Sequence, residues 1–154
     1  MYVAEHPERV RRRLVPDAVQ VQIVLGSLLG RARIEGAAGE RRMRVAHGVA
    51  DAEYAWWKYD RLGALTADPP VVRGDEIAFA TIAHPLFDEL APFFVTRRGA
   101  RTVHALLAPL GLAVWMSDRG RLRLRAELFV PTRRGFAITA DALALTADAL
   151  ALTA

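Results

Sequence analysis

Two glycines stand one helical turn apart in an apolar segment, and they constrain the fold more than any other feature. The segment runs from Val19 to Gly30, follows the potential N-cap Asp17 and has the apolar character of a buried helix. Gly26 and Gly30 share one face of that helix. Because each glycine costs a helix about 1 kcal/mol relative to alanine, we expect the close approach of a second helix to offset this cost. The alternative at Gly30 is that it simply ends the helix.

The composition is that of a globular protein without thiol chemistry. Of 154 residues, 53% are hydrophobic and none is cysteine, which excludes disulfides, thiolate nucleophiles and cysteine-zinc sites. The formal net charge is +4, and all but one of the 21 basic residues are arginines, the exception being Lys58. A basic excess of this kind suits a polyanionic partner.

The sequence shows no pattern typical of export or membrane insertion. The longest apolar stretch, at 103–116, contains His104 and Pro109 and is shorter than the roughly 20 apolar residues of a spanning helix. We therefore expect a cytoplasmic location, associated with the nucleoid if the source is bacterial.

Hydrophobic periodicity and turn residues predict an alternation of helices and hairpins. The last segment repeats the heptad Thr-Ala-Asp-Ala-Leu-Ala-Leu from Thr139 and again from Thr146, which predicts a helix. In chain order, the predicted elements are a helix at 19–30, a hairpin of 31–34 and 41–49, a helix at 51–65, a hairpin of 71–73 and 77–82, a helix at 85–94, a basic loop at 96–100, a helix at 102–118 interrupted near 109–111, a strand at 121–130 and the heptad helix from 139.

Two segments resemble the motif of the LAGLIDADG homing endonucleases. They read VLGSLLGRA at 24–32 and LAVWMSDRG at 112–120, and the sequences YAWWKYDRL at 54–62 and TIAHPL at 81–86 add to the likeness. The resemblance covers roughly residues 19–145. Within the family, the chain resembles the subgroup that carries two motifs in one short chain.

The resemblance implies an α+β fold of two pseudo-repeats, each αββαββα, with a central packed helix pair and saddle-shaped antiparallel sheets over duplex DNA. We expect the first repeat, with a basic N-terminal extension, at 1–101. An abbreviated second repeat with the heptad helix is expected at 102–154, in one compact unit. About 34 residues follow Gly120, too few to complete the second repeat. A homodimer is therefore expected.

In active members of the resembling family, an acidic residue just before the last glycine of each motif binds a divalent metal. Such a site needs oxygen ligands, but here the two positions are Arg31 and Arg119, and Ala32 replaces the first closing glycine. Guanidinium groups repel Mg²⁺ and suit phosphate. We therefore expect no catalytic residue, no metal and no cofactor. Asp118 points about 100° away from the ligand position and is interpreted as a helix-end residue or as a partner of Arg119 rather than a displaced ligand.

Arginines at alternating positions predict a basic sheet face. The alternative is the ordinary solvated face of a half-exposed sheet. Arg97, Arg98 and Arg101 either flank a duplex or lie in a solvated loop. Residues expected to contact DNA are Arg31, Arg33, Arg42, Arg44, Arg119, Arg121, Arg123 and Arg125, and residues expected to pack the helices are Gly26, Gly30 and Ala113.

Three functions are compatible with these features. The first is a catalytically inactive, homing-endonuclease-like protein that binds double-stranded DNA through the arginine face, for example as a domesticated regulator. The second is a weakly active DNA endonuclease that uses displaced acids. The third is a degenerate relic that acts in protein–protein contacts.

Overall fold

A computed structural model describes residues 4–119, which form helices around one antiparallel sheet. No helix within these residues combines the length and the apolar character needed to cross a membrane. The helices are α1 (Pro7–Arg11), α2 (Ala18–Leu29), α3 (Ala52–Leu62), α4 (Pro85–Leu90), α5 (Arg97–His104) and α6 (Pro109–Asp118), and the strands are β1 (Arg33–Glu35), β2 (Arg42–Gly48), β3 (Val71–Arg73) and β4 (Glu76–Ala80).

From α2 to α4 the element order is αββαββα, as predicted for one repeat. The α+β class and both hairpins of this repeat are confirmed. Residue 101, where the first repeat is expected to end, lies within α5. The strand predicted at 121–130 and the heptad helix from 139 lie outside the described residues, as do Arg121, Arg123 and Arg125.

The start of α2 is fixed by a reciprocal capping box. The Asp17 carboxylate accepts a hydrogen bond from the Gln20 backbone N–H at 2.8 Å, and the Asp17 N–H donates to the Gln20 side chain at 2.9 Å. The Gln20 amide also donates to the Leu62 carbonyl at 2.9 Å, which ties this end of α2 to the end of α3. The cap therefore sets both where α2 begins and how it lies against α3.

The sheet has the strand order β1-β2-β4-β3, and its two faces differ sharply. Pairing of Val45 with Phe79 and of His47 with Ile77 places these side chains on one face, and all four are buried. Helix α3 packs against β2 and β4. The buried face belongs to the same core as the apolar residues of α2, which leaves the opposite face of the sheet open to solvent.

Helices α2 and α6 pack together along the two motif segments. A Cβ atom at Gly26 would collide with the backbone carbonyl oxygen of Gly111, and one at Gly30 would collide with the side chain of Asp118. Ala113 is buried in the same helix pair. Gly30 is also the C-cap of α2, so it both ends the helix and leaves room for α6.

The basic loop predicted at 96–100 is wrong, because these residues begin helix α5. The Thr96 hydroxyl accepts a hydrogen bond from the Gly99 N–H at 3.0 Å and caps the helix. Gly99 lies so close to the Phe93 carbonyl that a Cβ atom would collide with it. A threonine N-cap and a packing glycine thus form a helix start where the arginines and the glycine resembled a loop.

We expect Gly26→Ala to destabilise the fold by about 1–3 kcal/mol because the methyl group has no space beside the Gly111 backbone. This exceeds the gain in helix propensity of about 1 kcal/mol. Urea unfolding followed by circular dichroism measures the change. Gly48→Ala is the matched control, since its Cβ would meet only one atom, at 4.0 Å, and should shift stability by no more than about 0.5 kcal/mol. Equal effects of both substitutions would contradict the close helix contact.

Candidate nucleic-acid interface

The solvent-exposed face of the sheet is rich in arginine. In the register of the strands, Arg33 pairs with Arg44 and Arg73 pairs with Glu76. Since side chains alternate between faces along a strand, these pairs lie on the side away from the core. The side chains on this face are those of Arg33, Glu35, Arg42, Arg44, Ala46, Val71, Arg73, Glu76, Ala78 and Ala80.

Two glutamates partly neutralise this face. Arg33 donates to Glu35 at 2.8 Å, and Arg44 contacts Glu76 at 3.2 Å. Arg42 and Arg73 have no ion-pair partner among the described residues. Exposed ion pairs contribute at most about 1 kcal/mol, so a polyanion can displace the glutamates at little cost.

Small residues make the middle of this face shallow. Ala78 and Ala80 line one depression together with Arg42, Arg44 and Arg73. A second depression is lined by Arg31, Arg73 and Glu76 with Ala46 and Gly48. The two depressions share Arg73 and Glu76, so they adjoin one another on the sheet face.

Arg73 is a residue of this surface that the sequence analysis did not single out. Its strand was predicted, at 71–73, but the face to which Arg73 belongs depends on the pairing of Arg73 with Glu76. The tight turn at Gly74 and Asp75 was the available signal, because it fixes that pairing.

The carboxyl ends of α2 and α6 meet, and two hydrogen bonds join them. The Arg31 backbone N–H donates to the Asp118 carboxylate at 3.2 Å. In the other direction, Nη2 of Arg119 donates to the Leu29 carbonyl at 3.1 Å. Arg31 is thus bonded to α6 through its backbone, and Arg119 is bonded to α2 through its side chain. Both are exposed residues.

Asp118 is the last residue of α6, as one of the two interpretations had it, and its buried carboxylate is paired with Lys58 rather than with Arg119, so the other interpretation is wrong. Nζ of Lys58 lies 2.7 Å and 2.9 Å from the two carboxylate oxygens, and the Tyr54 hydroxyl donates to one of them at 2.8 Å. Burial lowers the pKa of Lys58, and the charge of Asp118 opposes that shift. Together with the Arg31 N–H, these donors occupy the carboxylate.

Lys58→Met should destabilise the fold by about 3–5 kcal/mol because it leaves the buried Asp118 charge without its cation. Chemical denaturation monitored by circular dichroism tests this. Arg61→Met, at an exposed position of the same helix, is the control and should change stability by no more than about 0.5 kcal/mol. Adding Asp118→Asn to Lys58→Met should recover part of the loss, and strictly additive losses would show that the two groups are not coupled.

His47 lies on the core side of the same junction. Its ring is 5.0 Å from the ring of Tyr54, and its Nε2 atom has no hydrogen-bond partner within residues 4–119. Burial, and after it the positive charge of Lys58, lowers the pKa of His47 to about 4. The imidazole is therefore neutral in the folded protein at neutral pH.

The folded protein should lose stability as the pH falls from 6.5 towards about 4. In this window the unfolded chain binds a proton at His47, whose ordinary pKa is 6.5, while the folded protein does not until about 4. The difference amounts to about 3 kcal/mol. Denaturant midpoints measured across this range for the wild type and for His47→Leu should diverge, with the variant less sensitive to acid. Parallel pH profiles would assign the acid sensitivity to other groups.

The arrangement of elements defines the class of protein. An αββαββα repeat, two motif helices packed through glycines and an arginine-rich open sheet face are the features expected of a homing-endonuclease-like fold. A model of the LAGLIDADG DNA endonuclease family matches residues 21–140, and the chain belongs to this family.

Curated relatives include proteins named RecA. The chain is 31% identical over 125 residues to Protein RecA of Mycolicibacterium fallax, a match that covers 75% of this chain and 29% of that protein. It is 30% identical over 117 residues to Protein RecA of Mycobacterium shimoidei, covering 70% of this chain and 27% of that protein. The chain thus spans less than a third of the length of the curated relatives it matches, so the likeness concerns one segment of those proteins.

The divalent metal expected in this family does not fit the residues at the helix junction. Arg31 and Arg119 stand at the two positions where the resemblance places the ligands, and the nearby Asp118 carboxylate is occupied by Lys58, Tyr54 and the Arg31 N–H. The Leu29 carbonyl accepts from Arg119. Within the part of the chain that the structure describes, no cluster of three or more His, Cys, Asp or Glu side chains could hold a metal ion.

Proposed function

We propose that this chain binds double-stranded DNA through the arginine face and does not cleave it. The observation that carries the proposal lies at the junction of the motif helices. The two positions where the resemblance places metal-binding acids hold arginines, and the Asp118 carboxylate at that junction is buried against Lys58. A two-metal cleavage mechanism requires carboxylates that are free to bind metal ions.

The sheet face supports the DNA-binding half of the proposal. Four arginines on three of the four strands stand against two glutamates, and the half-buried alanines between them are small enough to let a helical polyanion approach the backbone closely. Arginine forks match phosphate oxygens in geometry and charge. Contacts of this type fix the position of a duplex but do not by themselves read its sequence.

The finer parts of the proposal rest on the sequence. We include a regulatory role, a division into repeats at 1–101 and 102–154, a homodimer completed through the C-terminal segment, and further contacts from Arg121, Arg123 and Arg125. A regulator needs affinity without cleavage, which is what the two arginine substitutions favour.

The proposal predicts duplex binding that depends strongly on salt, together with intact DNA. Fluorescence anisotropy of a labelled random-sequence duplex between about 50 and 200 mM salt should give a log K against log salt slope of about −5, for about six neutralised phosphates. Arg42→Gln combined with Arg73→Gln should flatten the slope by about 2. Supercoiled plasmid incubated with Mg²⁺ and the wild-type protein should stay uncut.

Arg61→Gln is the matched control for charge, because Arg61 lies on α3, which packs on the other side of the sheet. It should leave the slope nearly unchanged. No duplex binding at about 50 mM salt would favour the protein-contact alternative. If the protein nicks the plasmid and a mock preparation does not, the weakly active endonuclease would be favoured. Asp118→Ala is unsuitable as an activity probe, since it would also leave Lys58 buried without its partner.

A further inference from the structure

Two positive charges lie where the carboxyl ends of two packed helices meet. Arg31 follows the last turn of α2, and Arg119 is the C-cap of α6. The Arg31 backbone bonds to Asp118 of α6, and the Arg119 guanidinium bonds to Leu29 of α2. This crossed pair of hydrogen bonds brings both arginines to a single junction.

The electrostatics of this junction favour a cation. Each helix end carries a partial negative charge of about half an elementary charge, because its last carbonyls have no partner in the helix. The Asp118 carboxylate adds no free negative charge, since the Lys58 ammonium lies 2.7 Å away. Neither Arg31 nor Arg119 has an ion-pair partner among the described residues.

The guanidinium donors are only partly used. A guanidinium has five N–H donors in a planar fork, and within residues 4–119 the guanidinium of Arg119 makes one hydrogen bond, to the Leu29 carbonyl. Arg31 lines a depression on the sheet face together with Arg73 and two acidic residues, Asp75 and Glu76. Arg119 borders a separate depression with Leu112, Trp115 and Met116, so the free donors of the two arginines lie on either side of the helix junction.

We propose that Arg31 and Arg119 form a phosphate clamp at the centre of the DNA interface that works without metal. The Arg119 guanidinium, held on the Leu29 carbonyl, supplies the positive charge that the two helix ends favour. Its remaining donors and those of Arg31 hold backbone phosphates of a duplex that lies on the sheet face. This inference rests on the proposed function and adds to it the position and the chemistry of the central contact.

Anisotropy titrations of a random-sequence duplex in EDTA test the clamp. The full chain is compared with Arg31→Gln, Arg119→Gln, Arg119→Lys and the control Arg61→Gln, and folding is checked by circular dichroism. The wild type should bind fully in EDTA, and Mg²⁺ well below the monovalent salt concentration should not tighten binding. Each glutamine substitution should flatten the salt slope by about 1, and the control should not.

The outcomes separate the clamp from a structural role. If Arg119 only caps α2, Arg119→Gln will lower stability and leave the slope unchanged, which overturns the clamp. Arg119→Lys keeps the charge, so the clamp predicts a slope near that of the wild type with weaker binding, because the fork is lost. Arg31→Gln removes only an exposed side chain, so its effect on binding is not confounded by folding.

Two further results would overturn the inference. Wild-type binding that needs Mg²⁺ would show that the arginines do not supply the central charge. Unchanged slopes in both glutamine variants, while Arg42→Gln with Arg73→Gln still flattens the slope, would refute the clamp and leave the proposed DNA binding intact. No binding by the wild type would instead refute the proposed function itself.

Discussion

The close contact between α2 and α6 is the constraint on which the rest of the structure depends. Glycines at 26, 30 and 111 let the two helices approach so closely that a single methyl group would collide with the neighbouring helix. Because of this approach, Asp118 at the end of α6 reaches the backbone N–H of Arg31. The same carboxylate meets Lys58 from α3. One buried group therefore joins three helical segments.

The buried ion pair of Lys58 and Asp118 also keeps the negative charge of Asp118 apart from the exposed arginines at the junction. Removing two ions from water is unfavourable unless their geometry and additional hydrogen bonds compensate for it, and here the Tyr54 hydroxyl and the Arg31 N–H complete the set around Asp118. The acid is held inside the protein, while the arginines on either side belong to exposed residues. The same contact that fixes the helices thus leaves the surface of the junction positive.

The sequence was sufficient to predict features that rest on local signals. Glycine spacing, the Asp17 cap and the turn residues correctly indicated α2 and both hairpins. Features that depend on tertiary proximity could not be predicted, because Lys58 lies 60 residues from Asp118 and nothing in the local pattern links them. The face of Arg73 was a different case, because the local turn at Gly74 and Asp75 fixes its pairing with Glu76 and was not used. At Thr96, arginines and a glycine obscured a helix start.

The arginines of the interface fall into two electrostatic groups. On the sheet, Arg33 and Arg44 form ion pairs with Glu35 and Glu76, whereas Arg42 and Arg73 have no such partner within residues 4–119. At the helix junction, Arg31 and Arg119 have no acidic partner within residues 4–119, so their charge is directed towards solvent. Salt screens exposed charges over about 8 Å, so the attraction is strongest near its source. In the proposed function, a duplex would therefore meet unpaired arginines both on the sheet face and at the helix junction.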